Sequence, residues 1–341
     1  MRKIVVDTSK DPLTSDVLMA LQLRTANDPW LPRLRSFDCK QATETFIHFI
    51  PLFLSPKTTK IHIRFTEDTP TMVVATAMSR LPTLCPDLQR ITLDDLPRDS
   101  VVTEAVSEMF LACNNPDALQ TFEVDSPLTE EAREVVFRLP RLFSLWTIVQ
   151  GPTSLPTAAL PNLAAIDVEY SDDLDWLQVF HGAKLEKLEK VAFHTESDNI
   201  GDFLGAFENT ILATPAKNTL SELRFCTSRS WNPNHSSLLS FNQLKNVEIE
   251  FSCEGGCSSR VDDDIIVGLA RAMPKLEVLQ LGGAPCATRT GVTVKGLCRP
   301  GLSLPPPLRA LYPFSNNNSG RGGKRCNGTA SFHRTTAPAG A

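Results

Sequence analysis

A short apolar phrase recurs along the chain: a leucine, two variable residues, a Phe or aliphatic residue, one variable residue and a further apolar residue. Clear copies begin at Leu34, Leu88, Leu119, Leu163, Leu188, Leu220, Leu244 and Leu276, and weaker copies lie at Ile61–Ile63 and Leu142–Thr147. Side chains of a β-strand point alternately to its two faces. The phrase therefore predicts a short strand with two apolar side chains on one face and a leading leucine that anchors the preceding turn.

The spacing of the copies indicates a repeat architecture. Successive copies lie 21 to 32 residues apart, counted at the second apolar position, close to the roughly 20–29-residue period of leucine-rich repeats. Three aliphatic residues cannot bury themselves within one repeat, but repeats stacked on both sides can bury them. Proline fixes φ and ends the element before the strand; it does so at Leu31-Pro-Arg-Leu34, Leu139-Pro-Arg-Leu142, Leu160-Pro-Asn-Leu163 and Met273-Pro-Lys-Leu276.

The segments between the copies have helical periodicity. Apolar stripes predict helices with buried faces, formed by Val102, Ala105, Val106, Met109, Phe110 and Cys113; by Ile200, Phe203, Leu204, Phe207 and Ile211; and by Ile265, Leu269 and Met273. Ser126-Pro127 ahead of Glu130-Glu131 predicts a capped helix start. Strand followed by helix, ten times over, predicts a curved α/β solenoid with parallel strands on its concave face.

These phrases, their intervening helices and the opening stretch from Leu21 to Pro56 resemble the repeat half of fungal F-box-type leucine-rich-repeat proteins, over roughly residues 12–298. The resemblance implies an irregular, ribonuclease-inhibitor-like leucine-rich-repeat solenoid. In that family an N-terminal F-box docks on the Skp1-type adaptor of a ubiquitin ligase, and the repeats present the substrate. The resemblance thus implies an unknown protein partner, with a Skp1-type adaptor as a second partner only where an F-box lies outside this chain.

Two departures from the family pattern shape the expected domain organisation. An F-box would need about 45 residues ahead of the repeats, and only 30 precede Leu31. The position eight residues after each leading Leu, where regular repeats carry Asn or Cys, holds other residues, so we expect an irregular solenoid. We expect a helical cap or residual linker over 1–30, the solenoid over 31–298, and a disordered basic tail rich in Pro, Gly and Asn over 299–341.

Composition narrows the classes of function. The net charge is −5, and the six basic residues of 299–341 face no acidic residue there, so the rest of the chain carries −11. This balance argues against a role on nucleic acids or membrane surfaces, and no apolar stretch is long enough to span a membrane. Nine cysteines without a secretory signal favour free thiols and a cytoplasmic or nuclear location.

Catalytic and metal-binding chemistry finds little support. Cys253 and Cys257, with Cys226 or Cys286, could offer thiolates to zinc, but the second ligand pair typical of zinc sites is missing. The six histidines are dispersed, and no nucleophile elbow or phosphate-binding loop occurs. The acidic pairs and triplet at Asp94-Asp95, Asp172-Asp173 and 262–264 precede apolar helical runs, so charge at helix N-termini explains them better than a cation site. We expect no enzyme activity, no cofactor and no metal.

The best candidate site is the row of residues between the last two apolar positions of each phrase, which point away from the core onto the concave face. It comprises Asp38, His62, Thr92, Glu123, Asp167, Ala192, Arg224, Glu248 and Gln280. The favoured function is a protein–protein interaction module, in its narrower form the substrate-recognition half of an F-box-type ubiquitin-ligase adaptor. The alternatives are a truncated or degenerate paralogue that binds nothing and an enzyme without a recognisable motif.

Overall fold

One parallel β-sheet organises the molecule. The computed structural model describes residues 2–8, 15–25, 29–149, 160–170, 184–195, 200–227, 238, 240–251, 268–269 and 271–281. Their eleven strands form a single sheet in sequence order, every pair parallel. The strands are β1 Lys3–Val6, β2 Ser36–Ala42, β3 Lys60–Phe65, β4 Arg90–Asp94, β5 Thr121–Pro127, β6 Ser144–Val149, β7 Ala165–Tyr170, β8 Lys190–Thr195, β9 Glu222–Thr227, β10 Asn246–Phe251 and β11 Val278–Leu281.

The strand order confirms the predicted α/β leucine-rich-repeat solenoid. Each of β2 to β11 coincides with one of the ten phrases, including the two weaker copies at β3 and β6. The sheet begins one strand earlier than the phrases predict, because β1 pairs with β2 in parallel. The segment 1–30, expected to be a helical cap or linker, therefore holds a strand of the sheet as well as a helix.

Helices connect the strands on one side of the sheet. They are α1 Ser15–Thr25, α2 Glu44–Ile47, α3 Ile50–Phe53, α4 Thr71–Leu84, α5 Ser100–Leu111, α6 Glu130–Val136 and α7 Ile200–Leu212, with 3-10 turns at Pro116–Ala118 and Pro215–Asn218. The predicted face of α5 is confirmed, since Val102, Val106 and Phe110 are fully buried. Phe207 and Ile211 on α7 are buried too.

The caps of two helices differ from the sequence-based expectation. Asp99 caps α5 by accepting a hydrogen bond from the Val101 amide at 2.8 Å, so the Asp94-Asp95 pair, six and five residues ahead of the first helical residue, does not serve its N-terminus. Thr129, which accepts from the Ala132 amide, caps α6. The predicted cap at Ser126-Pro127 is wrong because both residues belong to the end of β5.

A single hydrophobic core runs along the stack between the sheet and the helices. The leading leucine of each phrase is buried, as are the aliphatic residues that follow it. Aromatic pairs link sheet and helices: Phe110 on α5 meets Phe122 on β5 edge-on with ring centres 5.3 Å apart, and Phe193 on β8 meets Phe207 on α7 at 5.1 Å. Edge-to-face contact of this kind stabilises beyond simple burial of area.

Turns and hydroxyl groups satisfy the backbone where the repeats stack. The predicted proline turns form, with the Leu34 amide donating to the Leu31 carbonyl at 2.9 Å and the Leu163 amide to the Leu160 carbonyl at 3.2 Å. Hydroxyls replace the side-chain ladder of regular repeats: Thr58 donates to the Leu34 carbonyl, and Thr219 donates to the Leu188 carbonyl. Because a buried carbonyl without a partner is costly, these hydroxyls allow an irregular solenoid to stack.

Candidate functional site

The sheet face turned away from the core, here called the open face, carries the residues that the sequence predicts as partner-binding. Backbone register aligns them into one row across the strands, here called the central row. All eight are half-buried, because neighbours on adjacent strands cover one another: Asp38, His62, Thr92, Glu123, Asp167, Arg224, Glu248 and Gln280. The adjoining Ala192 is buried.

Two further residues complete the central row. Val5 of β1 aligns with Asp38 and is 47% exposed. Trp146 of β6 stands in register with Glu123 on one side and Asp167 on the other, and its ring is half-buried. Since adjacent strands are roughly 4.8 Å apart, the row has a large aromatic surface at its centre with a carboxylate-bearing residue on each flank.

A charged cluster occupies the open face at β2 to β4. The His62 imidazole lies between two carboxylates, with Nδ1 3.1 Å from Asp38 Oδ1 and Nε2 3.0 Å from Asp94 Oδ2. The hydrogen bond to Asp38, followed by that to Asp94, raises the pKa of His62 to about 9, and the same contact lowers the pKa of Asp38. Arg64 Nη2 lies 3.3 Å from Asp94. His62 is therefore an imidazolium at neutral pH that holds three strands together.

Glu123 on β5 has a different environment from these paired groups. Thr92 donates to its Oε2 at 3.2 Å, and Ser144 donates to its Oε1 at 2.8 Å. Burial raises the pKa of Glu123, and the two hydroxyl bonds oppose that rise. The carboxylate is thus fixed in position by neutral donors on the strands at either side.

Arg98, from the loop after β4, reaches over two strands to an acidic pair. Its Nη2 lies 2.6 Å from Glu169 Oε1 on β7 and 3.9 Å from Asp125 Oδ1 on β5. Burial raises the pKa of Asp125 to about 7 against the opposing effect of Arg98, and the charge of Glu169 adds to the rise. Asp125 is consequently only partly ionised at neutral pH, and the guanidinium nearest to it among the described residues lies beyond hydrogen-bonding distance.

Ion pairs continue along the central row toward β10. His194 Nε2 lies 3.1 Å from Asp167, and Arg224 Nε lies 3.5 Å from Glu248. Burial acts to lower the pKa of His194, but the hydrogen bond and the charge of Asp167 outweigh it and raise that pKa. These pairs join β7 to β8 and β9 to β10 on the open face, as cross-strand pairs in sheets do.

Charge is divided between the two edges of the open face. The amino ends of the first strands present Lys3, Lys60 and Arg90, aligned in one row with Ser36. Repulsion from Arg90 is the largest cause that lowers the pKa of Lys60. The carboxyl ends of β4, β5 and β7 present carboxylates instead, on Asp94, Asp95, Asp125 and Glu169. The amino edge of β1 to β4 is therefore basic, whereas the carboxyl edge of β4 to β7 carries carboxylates that pair with Arg64, Arg98 and His62.

The described residues offer no cluster of three or more His, Cys, Asp or Glu side chains suited to a metal ion. Cys39, Cys85, Cys113 and Cys226 are free thiols. Burial raises the pKa of Cys39 and Cys85 to about 12 and that of Cys113 to about 11, so these three stay protonated. Cys253, Cys257 and Cys286 lie outside the described residues, as do the acidic stretches 172–173 and 262–264. Among the described helices none is long and apolar enough to cross a membrane.

Sequence reasoning missed several residues that meet the predicted row. Trp146 lies in one of the weaker phrases, at the position that the rule for the row selects, so the same rule applied there would have found it. Asp94, Asp125, Glu169 and His194 each lie two residues after a member of the row, the next outward position of a strand. Arg98 carries no such signal, because its partner Glu169 is 71 residues away.

Comparison with known proteins gives partial structural likenesses. No protein-family model and no curated protein sequence matches the chain. The Rad7 and Elc1 complex of yeast is similar with a TM-score of 0.45 and 13% identity, over 80% of this chain and 74% of that one. The plant peptide hormone receptor RGFR1 in complex with RGF2 gives 0.32 and 12%, over 73% of this chain and 43% of the receptor. The Arabidopsis thaliana receptor-kinase ectodomain GASSHO1/SCHENGEN3, in complex with CASPARIAN STRIP INTEGRITY FACTOR 2, gives 0.32 and 9%, over 83% and 32%.

With TM-scores below 0.5, these likenesses add nothing to the assignment of the fold, which rests on the sheet topology: eleven parallel strands in sequence order, with helices on one side. The fold defines the class as an α/β leucine-rich-repeat solenoid.

Proposed function

We propose that this protein is an interaction module that binds another protein through the central row of its open face. The observation that carries the proposal is the register that aligns Asp38, His62, Thr92, Glu123, Asp167, Arg224, Glu248 and Gln280 with Trp146 in one continuous surface. Such a row, many strands wide and with acidic, basic and neutral side chains, suits recognition of a protein surface.

The composition of the central row supports binding over a purely structural role. Trp is common in β-strands, so its presence in β6 does not by itself indicate binding; its half-buried position between two acidic residues of the open face does. Trp is among the residue types most enriched at the energetic centres of interfaces. The charged pairs around it are held in fixed positions by hydrogen bonds, which reduces the entropy lost when a partner binds.

A narrower form of the proposal is that the chain is the substrate-recognition half of an F-box-type ubiquitin-ligase adaptor, working in the cytoplasm or nucleus. Its support is the resemblance of the repeat phrases to those of F-box-type leucine-rich-repeat proteins, together with free, unreactive thiols at Cys39 and Cys85. On this proposal the open face holds the substrate, and a Skp1-type adaptor is engaged through an F-box outside this chain.

Site-specific photo-crosslinking tests the broader proposal. A benzoyl-phenylalanine at Thr121, on the open face of β5, is compared with one at Met72, which is 66% exposed on α4. In extract of the source cells, the Thr121 probe is expected to give an adduct of discrete mass that the Met72 probe does not give. The same adduct from both positions, or an adduct from Met72 alone, would contradict binding through the open face.

A further inference from the structure

The stretch of open face from β4 to β7 has a chemistry of its own. Trp146 lies at its centre, between Glu123 and Asp167 in the central row. The face of an indole ring attracts cations, and the attraction grows when the cation is shielded from water. A carboxylate within about one strand spacing on either side would add a charge-assisted hydrogen bond to the same cation.

Carboxylates outnumber cations along this stretch. Six of them face it from β4, β5, β7 and the loop after β4: Asp94, Asp95, Glu123, Asp125, Asp167 and Glu169. The described basic groups that form ion pairs with them are Arg64, Arg98, His62 and His194. Glu123 is bonded to neutral hydroxyls, and Asp125 has its nearest cation 3.9 Å away. Glu123 therefore has no basic partner among its described contacts, whereas Asp125 is only partly ionised at neutral pH and lies near Arg98.

Arg98 shows that a guanidinium fits against this surface. It lies over the carboxyl ends of β5 and β7 and bridges Asp125 and Glu169 with its Nη2, while 40% of its side chain stays exposed. The loop holds Arg98 at the carboxyl edge of the sheet. Trp146 and Glu123 lie nearer the amino ends of their strands, where a second cation can contact them. The basic row of Lys3, Lys60 and Arg90 lies at the opposite edge and would repel one there.

We propose that the stretch from β4 to β7 binds an extended, basic segment of a partner protein, with one Lys or Arg side chain placed over Trp146 between Glu123 and Asp167. The proposal rests on the proposed function and adds the chemistry of the partner. Charge complementarity selects this occupant: a nucleic acid or an acidic peptide would meet six carboxylates, and an apolar helix would have to desolvate them without compensation.

Fluorescence polarisation with defined peptides tests the proposal on the full chain. The probe is a fluorescein-labelled octapeptide of alternating Arg and Ser, and its counterpart has Glu in place of Arg. We expect the Arg peptide to bind, the Glu peptide not to bind, and the affinity for the Arg peptide to fall as salt rises, because screening weakens charge pairing. Equal binding of both peptides would overturn the proposal.

Matched variants locate the binding. Trp146→Ala with Glu123→Gln is expected to weaken binding about tenfold or more, from the loss of one cation–π contact and one charged acceptor. The control is Glu104→Gln with Glu131→Gln on the helical side, where a groove lined by five glutamates lacks an aromatic residue. We expect the control to change affinity less than about twofold. Equal losses in the two double variants would show attraction to net charge alone and contradict the proposal.

Two further measurements separate the possible failures. Circular dichroism verifies that each variant is folded, and Asp167→Asn serves as a second single change if the double variant unfolds. The second measurement is a competition experiment, in which the Arg peptide is expected to suppress the adduct formed by the Thr121 crosslinker. If the adduct forms and the Arg peptide does not reduce it, the interaction module stands and the basic partner is contradicted. If no adduct forms even in the absence of the peptide, the module itself is contradicted.

Discussion

Replacing Leu163 with alanine tests the stacking of the repeats most directly. Leu163 is the leading leucine of the β7 phrase and has no solvent exposure. Its repeat lies between two others, since β7 pairs with β6 on one side and with β8 on the other. The side chain is therefore enclosed by neighbouring repeats, and the truncated site cannot collapse without moving them. Leu23→Ala on α1 is the matched control, because the same atoms are removed from a side chain that is 79% exposed.

The expected magnitudes follow from burial. Truncation of a fully buried leucine removes its transfer free energy and leaves a cavity, which together cost about 3–5 kcal/mol. At Leu23 neither contribution applies, and alanine has the higher helix propensity, so we expect a change within about 0.5 kcal/mol. Against a stability of about 5–15 kcal/mol for a whole domain, the loss at Leu163 is large enough to measure without difficulty.

Urea unfolding followed by far-ultraviolet circular dichroism gives both values. The midpoint of the Leu163→Ala variant is expected to fall clearly, with the Leu23→Ala midpoint unchanged. Hydrogen exchange provides a local readout, and faster exchange in β6 to β8 than in β2 to β4 is expected, because repeats interact mainly with their neighbours. Equal costs at Leu163 and Leu23, or exchange that rises uniformly along the sheet, would refute the reasoning.

Four further predictions follow from the structure and the sequence. The pKa of His62 is about 9 in the folded protein against 6.5 for the free group, so its contribution to stability is complete below pH 6.5 and is lost as pH rises through 9. Thermal melts of the His62→Gln variant should lack this part of the pH dependence. The pKa of Asp125 is about 7 in the folded protein against 3.8 for the free group, so its ionisation costs stability as pH rises from about 4 to beyond 7. At pH 8 the Asp125→Asn variant should therefore melt at a higher temperature than the unmodified protein, and a lower melting point would count against this reasoning. A chain that ends at residue 298 should keep its thermal midpoint and solubility, and aggregation would show that 299–341 covers the last repeat. The 341-residue chain should not co-purify stoichiometrically with a Skp1-type adaptor; if it does, the docking surface must be sought within residues 1–30.

The strands were predictable because burial on one side leaves a strong pattern. The eight clear phrases place two apolar residues two positions apart behind a leucine, and together with the two weaker copies they predict β2 to β11. Strand β1 escaped this reasoning because Lys3-Ile-Val-Val6 has no leading leucine and is short. Its two inward residues, Ile4 and Val6, are only partly buried at the end of the stack, so the pattern is weakest where a neighbour is missing.

The caps of the helices show where local sequence rules compete. Asp94-Asp95 and Ser126-Pro127 both have residues typical of a helix start, yet each lies at the end of a strand. Asp94 is drawn into the sheet by His62 and Arg64, two residues on the adjacent strand. Asp95 takes up a left-handed backbone with φ of 57°, which turns the chain away from the sheet and leaves Asp99 to cap α5. Pairing with residues distant in sequence thus overrides a capping motif, and a single sequence does not reveal such pairing.

The candidate site was predictable only as far as strand periodicity reaches. Alternation alone places the central row on the open face, and parallel pairing aligns its members from β1 to β11, because the register shifts of β2 with β3 and of β5 with β6 come only after the row. Which members interact is a different matter. Arg98 contacts Glu169 because its side chain extends from the loop after β4 to β7, and the course of a loop does not follow from the pattern of apolar residues.

The two faces of the sheet are under different physical constraints, and this difference locates function in the fold. On the inner face, apolar residues must fit their neighbours in shape and volume, so substitution there is costly and chemistry is uniform. On the open face a side chain meets the adjacent strands and water, and the pairs His62–Asp94 and Arg224–Glu248 satisfy one another locally. Glu123 is an exception, since its described hydrogen-bond partners are the neutral hydroxyls of Thr92 and Ser144, and Trp146 lies beside it in the row. The proposed interaction at β4 to β7 rests on these two residues.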